Sequence, residues 1–193
     1  MESTTSWISA MTETLRDGRT LEIRRWRKED LPSVQKLSWL TWKATYGLFI
    51  PEADMRVYHD EHYSLDALER NYLLSRVRGF IAFVSDEPSA YMLMSLESEK
   101  RRCSISSLYV APVCQNLGVG SHLMQEAEQV ASGAAFDRMW LGVMKSNQRA
   151  IDWYVKCGFH FEREEPFTMG GTTVIHLIGY KLLKVMAARR SAS

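Results

Sequence analysis

Residues 106–121 read Ser106-Ser107-Leu108-Tyr109-Val110-Ala111-Pro112-Val113-Cys114-Gln115-Asn116-Leu117-Gly118-Val119-Gly120-Ser121. A strand-like run stops at Ala111-Pro112, a short loop turns, and Gly118-x-Gly120 leads into a segment with Leu123, Met124, Ala127 and Val130 at helical intervals. Glycines tolerate positive φ and let a ligand approach the backbone, while the first N–H groups of a helix have no intrahelical partner. Their partial positive charge suits a phosphate or pyrophosphate. The spacing lacks the Gly-Lys-Ser/Thr of a P-loop and the third glycine of a dinucleotide fingerprint. From this stretch alone, a helix start without a ligand stays open.

Working outward, Phe80–Val84, Ala90–Leu96 and Ser104–Val110 are three short apolar runs, the first two separated by the turn cluster Ser85-Asp86-Glu87-Pro88. They predict consecutive antiparallel strands, which disfavours a Rossmann-type nucleotide enzyme, where a βαβ unit is required. Downstream come a strand (Met139–Val143), a helix (Asn147–Lys156), a strand (Phe159–Arg163) and a final strand (Thr172–Leu182). Upstream, Leu21–Trp26 alternates like a half-buried strand, and Asp30 precedes Leu31-Pro32 at the start of a helix that runs to Tyr46 and Gly47. Residues 47–63 read as irregular around Pro51. Ser64 opens a second helix on Leu65, Leu68, Tyr72 and Leu73, closed by Gly79.

The order β-α-α-β-β-β-α-β-α-β-β predicts one α/β (α+β) domain on a mixed sheet, residues 19–184. An extension (1–18) and a tail (185–193) flank it. In the extension, Trp7, Ile8, Met11 and Leu15 have helix-compatible spacing, giving either a docked amphipathic helix or a mobile arm.

Composition narrows the function classes. The 193 residues are 46% apolar, with 24 Lys+Arg against 23 Asp+Glu. A net charge of +1 argues against a strongly basic nucleic-acid binder. No apolar run approaches the roughly 18 residues of a membrane span, and the first residues lack the basic start of a secretory signal. Three cysteines without Cys-x-x-Cys spacing read as reduced thiols and no metal site. Cytoplasmic is the expectation.

Two motifs in this element order resemble the GNAT superfamily of N-acetyltransferases. Its Gln/Arg-x-x-Gly-x-Gly/Ala motif is matched by Gln115-Asn116-Leu117-Gly118-Val119-Gly120. Its Asn…Ala…Tyr…Gly-Phe stretch is matched by Asn147, Ala150, Tyr154, Gly158 and Phe159. The resemblance spans about residues 20–183. It implies a GNAT fold in which parallel strands carrying Ser104–Val110 and Arg138–Val143 splay apart, with acetyl-CoA as co-substrate and no metal. Pantetheine would pair with the main chain of Leu108, Tyr109 and Val110. Gln115, Asn116, Leu117, Gly118, Val119 and Gly120, with Ser121, would cradle the pyrophosphate, and Asn147 would hold the pantetheine arm from the other side. Lys156 would either approach the 3′-phosphate or stay solvated.

The resemblance also implies that Tyr154 protonates the departing CoA thiolate, a general-acid role. The plainer reading is a core tyrosine beside Trp153. As neighbours on one helix, only one of the two is expected to face the cofactor.

An acceptor ammonium, of pKa about 10, must lose a proton before attack. Many family members place a glutamate where this chain has Ser104. Glu97 is the expected replacement, acting through water, unless it is a solvent-facing strand-end charge; Tyr46, His59 and His62 are weaker candidates. The segment Tyr46–Asp66 carries Glu52, Asp54, Asp60, Glu61 and Asp66, which predicts a cationic acceptor unless these are simply a solvated face. Thr45-Tyr46, Ile50-Pro51, Tyr58 and Ser64-Leu65 loosely resemble bacterial polyamine acetyltransferases of the spermine/spermidine type. The expected activity is acetyl-CoA-dependent N-acetylation of a small amine or polyamine. A peptide N-terminus or protein lysine is the second acceptor class, and a non-catalytic acyl-CoA sensor is the alternative of another kind. The Trp and Met content would serve packing or a homodimer interface.

Overall fold

The computed structural model describes residues 10–184. Its frame is one eight-stranded sheet: β1 (Met11–Thr14), β2 (Thr20–Arg25), β3 (Val77–Val84), β4 (Glu87–Glu97), β5 (Arg102–Val110), β6 (Arg138–Met144), β7 (His160–Met169) and β8 (Thr172–Leu182). Spatial order is β1-β2-β3-β4-β5-β6-β8-β7, and every pair is antiparallel except β5–β6. The mixed sheet and element order agree with the expectation, apart from one added strand and one added helix.

The helices divide between the two faces. On one, α4 (Val119–Gly133) and α5 (Gln148–Lys156) cover Ile23, Phe80, Met92, Met139 and Leu141. On the other, α1 (Leu31–Tyr46), α2 (Glu52–Tyr63) and α3 (Leu65–Leu73) cover Ile81, Tyr91 and Met144. Alternation along β3 accounts for this: Phe80 and Ala82 enter the first core, and Ile81 enters the second.

Three expectations are corrected. Met11–Thr14 is an edge strand paired with Leu21–Ile23 and Thr20, so the sheet begins inside the segment assigned to an extension; at Met11 this is neither of the two readings given for that segment, a docked helix or a mobile arm, and Trp7 and Ile8 lie outside the described residues. Likewise, the tail from residue 185 lies outside them. Residues 52–63, read as irregular, form α2, which buries Met55, His59 and Tyr63 at intervals of four. Pro51 sits at its N-cap and Glu52 and Asp54 in its first turn, so the features read as breakers are helix-start signals. Finally, α3 ends at Leu73, and Gly79 lies within β3, where a Cβ would overlap the Trp26 ring. Trp26 is held there by its indole N–H, which donates to the Phe80 carbonyl at 2.7 Å.

Candidate active site

Strands β5 and β6 pair only from Cys103↔Met139 to Ile105↔Leu141, although β5 runs on to Val110 and β6 to Met144. The cause lies in the next ladder. Between Leu93↔Ser107 and Met94↔Ile105 the register skips Ser106, a bulge that leaves one extra residue on β5. Bulges bend and twist the strand that carries them. Here the bend begins where parallel pairing stops, and beyond it β5 presents an edge without a partner strand. A cleft of about 1180 Å³ opens along this splay.

Past the end of β5, a 3₁₀ turn at Pro112–Cys114 leads into the glycine loop. Asn116 (φ +65°) and Gly118 (φ +95°) are both left-handed, which turns successive amides to one side. The amides of Ser121 and His122 both donate to the Gly118 carbonyl. The N–H groups of Asn116, Leu117, Gly118, Val119 and Gly120 have no acceptor among the described residues. A concave row of amides at the start of a fifteen-residue helix fits a diphosphate. Gln115 donates its side-chain amide to the Val110 carbonyl at 3.1 Å, tying the loop to the strand end. Exposed Arg16, Arg149 and Lys156 line the same part of the cleft, against Glu13 and Asp152.

The opposite wall is α5. Asn147 accepts the Ala150 N–H at 3.2 Å and thereby caps the helix, while also lining the cleft. Tyr154 lines it too, at 9% exposure, packed edge-on against Phe159, and its hydroxyl has no hydrogen-bond partner among the described residues. Burial first, then the neighbouring Tyr46 and Cys157, push its pKa upward, so it remains protonated at neutral pH. Trp153 also lines the cleft. The two side chains serve different stretches of one wall, with Trp153 against the glycine loop and Tyr154 towards Tyr46.

The cleft thus brings together Leu108, Tyr109, Val110, Gln115, Asn116, Leu117, Gly118, Gly120, Ser121, Asn147 and Tyr154, while Val119 packs into the core beneath. Glu97 is not among its lining residues. It ends β4 in an ion pair with Lys100 at 2.8 Å, and that bond holds its carboxyl below the usual range. Ser104 pairs with Trp140 in the closed part of the splay and likewise does not line the cleft. Of the other candidates, Tyr46 lines it; His59 is buried against Trp42 with its Nε2 2.8 Å from the Ser38 hydroxyl, and His62 lies elsewhere.

At the far end the cleft has an aromatic wall that the sequence reading did not assemble. Trp42, Tyr46, Tyr58, Tyr63, Tyr109, Phe167 and His176 all line it. Ring centroids are 5.6 Å apart for Trp42–Tyr58, 5.4 Å for Tyr58–Phe167 and 4.1 Å for the stacked Phe167–His176. Tyr46 and Tyr109 share a hydrogen bond at 2.6 Å, and Tyr63 bonds to Ser107. Burial raises the phenols of Tyr46 and Tyr58 to about 12 and lowers His176 to about 4, so the whole wall is uncharged at neutral pH.

The five carboxylates expected to attract a cation do not line this wall. Glu52 pairs with Lys43 and Arg56. Asp54 accepts the Gly171 N–H at 2.9 Å and the Thr172 hydroxyl at 2.6 Å, which fixes α2 to the β7–β8 turn. Asp60, Glu61 and Asp66 are exposed.

Comparison with known proteins agrees with this geometry. The model of the "Acetyltransferase (GNAT) family" matches residues 31–159. An uncharacterized N-acetyltransferase of Mycobacterium tuberculosis is 29% identical over 99 residues, 51% of this chain and 64% of that protein; the chain therefore spans less than two thirds of that relative's length. Spermidine N(1)-acetyltransferase of Thermoplasma acidophilum is 24% identical over 145 residues, 74% of this chain and 90% of that protein. In fold, the PaiA N-acetyltransferase of the same organism, solved in complex with coenzyme A, superposes with a TM-score of 0.74 at 22% identity, covering 84% of this chain and 98% of that one. Among the described residues no helix is long and apolar enough to cross a membrane, and no group of residues suits a metal ion. With the splayed strands, the glycine loop and the matched family model in agreement, the chain belongs to the acetyltransferase (GNAT) family.

Proposed function

We propose that this chain transfers the acetyl group of acetyl-CoA to the primary amine of a small molecule. One observation carries the reading: five unpaired amides, an unpartnered strand edge and a buried, protonated Tyr154 all border one cleft. In the proposed arrangement, amides 116–120 bind the diphosphate, with Gln115 and Ser121 at the ends of the cradle. The free edge of β5 at Leu108, Tyr109 and Val110 accepts an extended pantetheine like an added strand. Asn147 spends its side-chain oxygen on the helix cap, so its amide NH₂ is the group left for the cofactor arm.

Acetyl-CoA supplies an activated acyl carbon: its C–S bond breaks as a C–N bond forms, the nitrogen gives up one proton and sulfur takes one. Tyr154 holds a proton on its hydroxyl for that sulfur. Positioning the two reactants in one cleft supplies most of the remaining acceleration.

A polyamine acceptor draws support from the spermidine-acetylating relative. It loses the support of the acidic segment, whose carboxylates are engaged or exposed elsewhere. Free Cys103, Cys114 and Cys157 favour a reducing, cytoplasmic setting.

The direct test is incubation of the purified chain with acetyl-CoA and a panel of primary amines, following thiol release and product mass. Acetylated amine with matching thiol is expected. Coenzyme A binding without transfer to any amine would instead support a sensor.

A further inference from the structure

We infer that the acceptor is a monoamine carried on an apolar or aromatic body, laid against the aromatic wall where Tyr58 and Phe167 reach the cleft over the buried Trp42, and taken up as the uncharged amine. This rests on the acetyltransferase reading above and narrows it to a substrate class.

The acceptor end of the cleft is defined by what lines it. Trp42 and Tyr63 are almost fully buried, while Tyr58 and Phe167 are partly exposed and form the approach. From His176 through Phe167, Tyr58 and Trp42 to Tyr63, each ring lies within 5.6 Å of the next, centroid to centroid. The carboxylates among the cleft residues are Glu13 and Asp152. Glu13 is 2.6 Å from His122 on α4, and Asp152 accepts from Gln148 on α5, so both stand on the cofactor side.

An acceptor with several ammonium groups would therefore meet a wall that no carboxylate lines, with Glu61 acting on Tyr58 and Glu165 on His176 only from outside the cleft. Burying a charge there without an ionic partner is costly. A single amine on an aromatic or alkyl body meets the opposite balance. Its body gains apolar and aromatic contact on the partly exposed rings of Tyr58 and Phe167, which their mutual packing holds in place. Its nitrogen, desolvated among neutral phenols, is driven towards the free base that attacks the thioester. This supplies what the site otherwise lacks: with Glu97 paired to Lys100 and outside the cleft, uptake of the neutral amine replaces a carboxylate base.

The neutral state of the wall is structural. His176 is stacked on Phe167 at an interplanar angle of 10°, and its Nε2 is shut off from solvent with no partner among the described residues. The wall is also held in place: Asp54 clamps α2 to the β7–β8 turn, which sets Tyr58 against Phe167.

The test compares 2-phenylethylamine with spermidine at saturating acetyl-CoA. It reads kcat/KM by product mass, and acceptor binding in the presence of coenzyme A by quenching of tryptophan fluorescence. The expected kcat/KM favours 2-phenylethylamine by about tenfold or more, the size of discrimination a shaped apolar pocket gives. Phe167→Glu, which sets a carboxylate in the wall, is expected to move that ratio towards spermidine, with coenzyme A affinity by calorimetry confirming that the variant is folded. Tyr58→Ala is expected to weaken phenylethylamine binding alone. Preference of the natural chain for spermidine, or an unmoved ratio in Phe167→Glu, overturns the inference while leaving acetyl transfer intact. Coenzyme A binding with transfer to neither amine nor any other overturns the functional reading, and this inference with it.

Discussion

Gly120 lies directly against Trp153: a Cβ on the glycine would stand 3.3 Å from the indole Cζ2. Through this contact the loop after β5 and the helix after β6, separated by some thirty residues, become two sides of one cradle. Gly118 is different. A Cβ there meets nothing nearer than 3.6 Å, but its φ of +95° is a conformation that side-chain-bearing residues resist. Gly120→Leu should therefore displace Trp153, and Gly118→Ala should strain the loop by about 1–2 kcal/mol. Calorimetry with coenzyme A is expected to show at least about a tenfold loss of affinity in each, since 1.4 kcal/mol is a factor of ten.

Tyr154→Phe removes a hydroxyl that has no hydrogen-bond partner among the described residues, so thermal stability should hardly change. If the hydroxyl protonates the leaving thiolate, kcat should fall by about 10²-fold with coenzyme A affinity nearly unchanged. Equal losses in affinity and turnover would point to packing instead.

Asp54→Ala cuts two hydrogen bonds between α2 and the β7–β8 turn, one of them to a backbone amide. The aromatic wall should loosen while the glycine loop is untouched. Steady-state kinetics are expected to show a raised KM for the acceptor, by about tenfold for the loss of roughly 1.4 kcal/mol of positioning, with the KM for acetyl-CoA unchanged.

His176 gives a pH signature in stability. Burial lowers its pKa from 6.5 to about 4, so the unfolded chain binds a proton at pH values where the folded chain does not. Its stabilisation is complete above the unfolded value and is lost as pH falls from about 6.5 towards 4. The size is on the order of 2 kcal/mol after allowing for its partial exposure. Melting curves from pH 7 to 4 should fall more steeply for the natural chain than for His176→Gln.

The parts legible in the sequence were those carried by short-range pattern. Gln115–Gly120 and Asn147–Phe159 are local motifs, and the strands from Val77 to Val110 announce themselves through apolar runs and turn residues. The edge strand Met11–Thr14 escaped because Thr12, Glu13 and Thr14 are exposed and carry no alternation. Helix α2 was concealed because only Met55, His59 and Tyr63 are buried, and one of those is a polar residue type. The aromatic wall was out of reach for another reason. Tyr58 and Phe167 come from elements more than a hundred residues apart, and the clamp that unites them is an aspartate that read as substrate-facing charge. Glu97 failed similarly: its position near the end of a neighbouring strand was visible, but its pairing with Lys100 was not.

The claim beneath these predictions is that the gap between β5 and β6 receives the cofactor arm while amides 116–120 hold its diphosphate. A crystal structure of the complex with acetyl-CoA tests it most directly. The expected result places the diphosphate oxygens within hydrogen-bond distance of those amides, the pantetheine along Leu108–Val110, and the thioester sulfur next to the Tyr154 hydroxyl. A cofactor seated elsewhere on the protein, with the amides of residues 116–120 still unpaired, would contradict it.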